Sequence, residues 1–261
     1  NVLAPHASTA MIVGADSQVV VERALFTRNG HVVAGAPYPS HHWYVAEAYV
    51  GAGFRDELRV FNPGGLAAAL TIDAFRGDGS VLVSHRRIAA GTRANVLLDD
   101  VAPIGASGLE IVSSEPVVVE SVVRGPGAAG PSAAMALVAP SRGWYFPDGG
   151  TSRGNEEYIA LLNPSSMVAT VRLSAVTADG YLPPVTLHVG PRSRAVYVVQ
   201  GLIRLGGLAA VVTSDQPIVA QERCGPRARG GSRKAIAAMA SRNGSRCSIP
   251  AVARRRRWCA S

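Results

Sequence analysis

Three observations on this 261-residue chain predict an all-β fold: two tandem antiparallel β-sandwich domains of about 100 residues each, with a partial preceding repeat. Positions 43 to 120 align with positions 144 to 221 without a gap, at a constant offset of 101 residues (43 to 144, 62 to 163). Short apolar runs alternate with period two and are broken by Gly, Pro, Asn and Asp, while helical periodicity is nearly absent. Hydrophobic residues make up 48% and aromatics only 6%, so the cores must be built from small and β-branched side chains, which suit strands.

The duplication is carried by matched positions. Trp43-Tyr44 corresponds to Trp144-Tyr145, Asn62-Pro63 to Asn163-Pro164, Asp78-Gly79 to Asp179-Gly180, Arg93-Ala94 to Arg194-Ala195, and Ser113 with Pro116 to Ser214 with Pro217. A repeated unit is a folding unit, which places the first sandwich at residues 31–124 and the second at 125–224. Residues 1–30 are expected to end a truncated preceding repeat, since Val19-Val20-Val21-Glu22 reads like Val117-Val118-Val119-Glu120. Residues 225–261 stop following the repeat: the next Trp-Tyr never arrives, and the segment is expected to be a disordered or non-native tail.

Within the first unit, Leu58 and Val60 alternate with polar neighbours before the Asn62-Pro63-Gly64-Gly65 turn. Leu70, Ile72 and Ala74 do the same before the turn at Asp78-Gly79, and both pairs read as antiparallel hairpins. A strand ending at Ile88 leads into a basic turn, Gly91-Thr92-Arg93, and a further strand from Ala94 to Leu98. The closing pair is read as two strands, Leu109 to Val112 and Val117 to Val123, with Pro116 at the entrance of the last. The second unit repeats this order through Ile159, Leu161, the Asn163-Pro164-Ser165 turn and the basic turn Pro191-Arg192-Ser193-Arg194. Residues 125–139, rich in Gly and Ala, are read as a linker or long loop.

The net charge of +8 does not describe the repeats. Residues 223–261 carry 11 of the 26 basic residues and none of the 18 acidic ones, which leaves the remainder mildly acidic. Specific nucleic-acid binding is therefore not expected, although Arg254-Arg255-Arg256-Arg257-Trp258 could attract an anionic surface. Cys224, Cys247 and Cys259 all lie there too, so the repeats need neither a disulfide nor a thiolate metal site. No stretch is long and apolar enough for a membrane-spanning helix, and no signal peptide is visible.

The residues that could carry a binding site are the Trp-Tyr pair with its following carboxylate and the Arg of the basic turn. They are Trp43, Tyr44, Glu47 and Arg93 in the first unit and Trp144, Tyr145, Asp148 and Arg194 in the second. Exposed aromatics beside a carboxylate can stack on a sugar ring and hydrogen-bond its hydroxyls, whereas the alternative is an aromatic plug over one end of the sandwich. The turn arginines could bind an anion. Asn62 and Asn163 read as Asx-turn residues, and Glu22-Arg23 and Glu222-Arg223 as a lateral ion pair or an inter-repeat contact. His31, His41 and His42 form the single histidine cluster, but an adjacent His-His pair chelates poorly and no metal or other cofactor is expected. Glu57, Glu156 and Glu157 could in principle pair for glycoside hydrolysis, yet the chain has no nucleophile elbow, phosphate loop or metalloprotease motif, and enzyme activity is not expected.

The order Trp-Tyr, acidic residue, apolar strand ending in Asn-Pro, Asp-Gly, Arg turn, then Ser-x-x-Pro resembles a family of uncharacterised bacterial repeat domains. The second unit shows it best, in Trp144-Tyr145-Phe146-Pro147-Asp148-Gly149, Leu161-Leu162-Asn163-Pro164 and Ser214-Asp215-Gln216-Pro217-Ile218-Val219. Such domains occur in tandem in large secreted or surface proteins of actinobacteria. The same string is similar to the soluble sensory rhodopsin transducer, a small β-sandwich that forms oligomers. The first unit departs at Ala48, where Gly149 stands, and at Ser121, where Glu222-Arg223 ends the second. The resemblance implies a sandwich for each unit and favours ligand or protein binding over catalysis. With two cysteine-free, all-β repeats and no catalytic constellation, the expected function is a non-enzymatic module of a secreted or envelope-attached bacterial protein, a structural spacer with an adhesive or carbohydrate-binding surface, whose partner is a cell-wall or other polysaccharide, or a protein. The alternatives are an oligomeric ligand-sensing transducer and an accessory part of a glycoside-processing enzyme.

Overall fold

In this computed structural model, residues 9–25, 31–51, 53–125, 132–151, 155–203 and 206–226 are described. They form strands and turns, with two single-turn 3-10 segments and no α-helix among them. None of their helices is long and apolar enough to cross a membrane.

A two-stranded ribbon, β1 (Glu22–Leu25) and β2 (His31–Ala34), precedes the first sandwich. That sandwich comprises β3 (Ser40–Val50), β4 (Glu57–Phe61), β5 (Ala68–Phe75), β6 (Val81–Ile88), β7 (Arg93–Leu97) and β8 (Gly105–Val123), and is joined by β9 (Ser132–Met135). The second contains β10 (Ser141–Thr151), β11 (Asn155–Asn163), β12 (Ala169–Thr177), β13 (Gly180–Tyr181), β14 (Val185–Val189), β15 (Ser193–Val198) and β16 (Gly206–Pro226). All pairings are antiparallel, and both units share one plan, so the expected all-β tandem sandwich is what forms.

The plan differs from the sequence reading in three ways. The expected closing pair is one strand: β8 runs 19 residues, pairing β3 and β5 with its first half and β4 and β9 with its second. Pro116 sits where the strand passes from one sheet to the other, opposite no ladder partner, so its missing N–H costs nothing. The Asn-Pro segment does not close a hairpin either, because β4 pairs β7 and β8 while β5 pairs β6 and β8. Asn62 is fully buried and acts as a corner clamp between the sheets: its amide donates to the carbonyls of Leu66 (2.7 Å), Ile88 and Ala89 (both 3.2 Å) and accepts the Gly64 N–H at 3.0 Å. Asn163 repeats this on Met167, Val189, Gly190 and Ser165.

The third difference concerns the expected linker, of which Ser132–Met135 is strand β9, laid along β8 from Val123 to Glu120. The β1–β2 ribbon has the same form, with Glu22 opposite Ala34 and Leu25 opposite His31. A strand read as the start of one unit thus completes a sheet of the preceding one. The four residues Ser132-Ala133-Ala134-Met135 are too few and too small to show a two-residue alternation, and within a Gly- and Ala-rich stretch they read as a loop.

Each unit has its own core. Trp43, Leu58, Leu70, Ile72, Leu109 and Ile111 anchor the first, and Ile159, Leu161, Val171, Leu173, Val212 and Ile218 the second. Trp43 is 2% exposed and its indole N–H donates to the carbonyl of Val117 at 2.9 Å; Trp144 donates to Ile218 at the same distance. Both rings stitch the Trp strand to the point where the long strand changes sheets.

Candidate functional site

A third buried cluster joins Tyr44, Ala46 and Phe75 of the first unit to Ala160, Leu162 and Val219 of the second. It follows from the two-residue period of β3: Trp43 and Val45 turn into their own core, so Tyr44 and Ala46 face outward and must be covered by something else. The cover is the sheet of β11, β15 and β16. Close approach requires Gly108, where a Cβ would stand 2.7 Å from Leu162 Cδ1 and 3.2 Å from its Cγ.

Polar groups ring this apolar contact. The Ala46 N–H donates to Gln221 Oε1 at 2.7 Å, and Arg194 Nε donates to the Ala46 carbonyl at 3.4 Å. Glu47, 4% exposed, accepts the Tyr158 hydroxyl at 2.5 Å on Oε1. Its Oε2 lies 3.2 Å from Arg223 Nε, within ion-pair distance but without hydrogen-bond alignment. At the rim, Arg192 bonds Asp73 at 2.8 Å and lies over the Phe75 ring, 5.2 Å from its centroid.

Burial and Glu47 together hold the Tyr158 phenol far above its ordinary range, so it stays a donor at any physiological pH. Burial pulls the Arg194 guanidinium down while Glu47 opposes that, the signature of a desolvated cation kept charged by its partner. Asp56, beneath β3 and 2% exposed, accepts the Tyr49 N–H at 3.1 Å. Burial raises its carboxyl to about 7, against the pull of that N–H and of Arg223. In the second unit Glu157 takes the matching place and accepts the Gly150 N–H. Glu222 bonds Glu157, and burial, that bond and the neighbouring carboxylates raise it to about 8. A Cβ on Gly149 would meet Glu222 Oε1 at 2.5 Å and Glu157 Oε1 at 2.6 Å. This accounts for the Ala48 and Ser121 departure: where Ser121 replaces Glu222 and the shorter Asp56 replaces Glu157, there is room for a methyl group.

Of the eight residues proposed from sequence, three converge. Tyr44 and Glu47 flank Ala46, whose carbonyl accepts from Arg194, and Glu47 interacts with Arg194 across the unit boundary rather than within one repeat, while the Tyr44 hydroxyl donates to Glu110 of its own unit at 3.0 Å. Trp43 and Tyr44 are buried, so neither offers an open face for sugar stacking, and Trp144 packs against the second core. Arg93 lies on the opposite side of the first unit, half-buried and bonded to Asn95. Tyr145, 74% exposed, and Asp148 remain on the surface. The expected inter-repeat role of Arg23 and Arg223 takes this geometry: Arg23 pairs with Glu120 at 2.8 Å and Arg223 with Glu47. His41 bonds the Ser113 carbonyl, the His31 and Glu156 side chains lie outside the described set, and no group of metal-ligating side chains occurs among the described residues.

Tyr158, Gln221, Arg192, Asp73 and Phe75 were missed. The first unit has Glu57, Glu120 and Gly91 where the second has Tyr158, Gln221 and Arg192. Each unit uses a different face at the junction, so the residues that make it need not agree between copies, and a search for shared positions passes over them.

Residues 127–220, the span from just before β9 into β16, match a family described as a family of unknown function (DUF5719). The second unit is thus similar to a domain whose function is not established. Comparison with curated proteins finds no match. A solved structure, titled as the crystal structure of Thermotoga maritima 1070, is 16% identical and covers 38% of this chain and 94% of its own, with a TM-score of 0.36.

Proposed function

We propose that this chain is a non-enzymatic structural spacer of a secreted or envelope-attached bacterial protein, in which successive β-sandwich units are locked together by the Tyr44–Glu47 strand. The observation that carries the reading is the buried contact of Glu47 with Tyr158 and Arg223 above the Phe75–Leu162 cluster. A flexible tether would leave these groups in water; burying a carboxylate is favourable only where partners are fixed around it. The similarity to tandem surface repeats supports the same reading. In the first unit the Tyr-x-x-acid strand binds protein, which favours a protein partner over polysaccharide for its counterpart. Small-angle scattering tests the spacer: the full chain should give one fixed separation of the units, and Glu47→Ala with Arg194→Ala should broaden it. An unchanged, broad distribution in both would refute it.

The adhesive reading retains Tyr145 and Asp148 as its residues, one open aromatic beside one exposed carboxylate. A glycan and peptidoglycan screen with a Tyr145→Ala control tests it, and no binding at millimolar ligand leaves the spacer role alone.

A further inference from the structure

The junction depends on an extra residue in β3. Val45 lies opposite Leu109 and Ala48 opposite Ser107, so three steps along β3 match two along β8. Such a bulge reverses the face that the following side chains take. Trp43 and Val45 line the first core, and beyond the bulge Ala48 and Val50 do, where an unbroken two-residue period would have sent Glu47 and Tyr49 inward. The extra residue is what turns Glu47 out of its own sandwich towards Tyr158 and Arg223.

The outer edge of β3 shows what holds the bulge. There the Tyr44 N–H donates to the Leu137 carbonyl and the Ala46 N–H to Gln221 Oε1, both at 2.7 Å. The series then steps to Tyr49, whose N–H donates to Asp56 at 3.1 Å. Asp56 is 2% exposed and its main chain is tied to the ends of β7 and β8: its carbonyl accepts the Leu98 N–H at 3.0 Å, and the Arg55 N–H donates to the Arg124 carbonyl at 2.8 Å. The second unit repeats the arrangement. β10 slips between Phe146 and Gly149, the Gly150 N–H donates to Glu157 in the place of Asp56, and the residue at the bulge is again an acid, Asp148.

We propose that Asp56 is the positioning residue of the junction: by fixing the Tyr49 N–H it holds the β3 bulge in the register that presents Glu47 to the second unit. Asp56 thus acts on the contact through Glu47. The inference rests on the spacer reading and names the residue that aims its contact.

The test combines small-angle scattering with urea denaturation of the full chain. Asp56→Asn keeps an acceptor oxygen for Tyr49 and should retain the wild-type separation of the units, whereas Asp56→Ala should broaden it as far as Glu47→Ala with Arg194→Ala does. A second signature is one that a mere loss of stability in the first unit would not give. Tyr158→Phe should lower the urea midpoint in the wild-type and Asp56→Asn backgrounds and leave it unchanged in Asp56→Ala, where Glu47 no longer reaches the hydroxyl. Should Asp56→Ala not fold, Asp56→Glu takes its place. The second unit pairs its glutamate with a glycine, since a Cβ on Gly149 would stand 2.6 Å from Glu157 Oε1, so Asp56→Glu alone should broaden the separation and adding Ala48→Gly should restore it. An unbroadened separation in Asp56→Ala, a Tyr158→Phe loss undiminished in that background, Asp56→Asn as broad as Asp56→Ala, or no rescue by Ala48→Gly would each overturn the proposal while leaving the spacer intact. A wild type without a fixed separation would overturn the spacer reading itself, and this inference with it.

Discussion

Replacing Glu47 with Gln and Tyr158 with Phe, singly and together, measures the bond that locks the units. The hydroxyl-to-carboxylate distance of 2.5 Å and the 4% exposure of Glu47 place it among charge-assisted, desolvated hydrogen bonds, which contribute about 1.5–3 kcal/mol. Tyr158→Phe removes the donor but keeps the ring, so a loss of about 2 kcal/mol is expected. Glu47→Gln also leaves Arg223 and the 3%-exposed Arg194 beside a neutral group, and should cost about 3–4 kcal/mol. Once either partner is gone the other has less to lose, so the double variant should be about 1.5 kcal/mol more stable than the sum of the single losses. Urea denaturation followed by tryptophan fluorescence reads both units, since Trp43 and Trp144 each lie in a different core. The wild type should unfold in one coupled transition and the Glu47→Gln chain in two. Additive single losses, with one transition retained, would refute the claim that this contact couples the units.

Gly108→Ala places a methyl group against Leu162, which should cost about 1–3 kcal/mol; adding Leu162→Ala should recover part of that loss, as a denaturation midpoint above the sum of the two would show. Asn163→Ala strips hydrogen bonds from the carbonyls of Met167, Val189 and Gly190 and should destabilise the second unit by about 2–4 kcal/mol in the same assay, whereas a change below about 0.5 kcal/mol would show that the corner is held by other means. For Asp56 the sign follows from a folded carboxyl raised from 3.8 to about 7: the native state holds a proton that the unfolded chain has lost. Stability is full below pH 4 and falls as pH rises towards 7, by up to ~4 kcal/mol at ~1.4 kcal/mol per tenfold. Asp56→Asn keeps the acceptor for Tyr49 and should flatten that slope, measured by thermal unfolding from pH 4 to 8; an unaltered slope would assign it to other groups.

How much was legible in sequence depends on whether a feature is repeated. The period-two alternation in Leu70-Thr71-Ile72-Asp73-Ala74 and the Asp78-Gly79 turn gave β5, β6 and their connection correctly. The Asn62 and Asn163 corners were recognisable as turn residues, but which strands they separate was not, since an Asx turn looks alike in a hairpin and in a crossover between sheets. The candidate site was half visible: Tyr44, Glu47 and Arg194 carry the right chemistry, yet their partners Tyr158, Gln221 and Phe75 sit at positions where the copies disagree.

By itself, the sequence determined the all-β class, the two-unit order and the architectural residues, because strand periodicity, turn chemistry and the demands of one sandwich are local and recur with each copy. Only the tertiary structure decided that Ser132–Met135 completes the preceding sheet, that β8 is a single strand serving two sheets, and that the ligand of the first unit's Tyr-Glu strand is the second unit. Those features depend on which surfaces meet. Tyr44 and Tyr145 occupy the same place in the same strand, and among the described residues the first is buried because the second unit covers it while the other is bare.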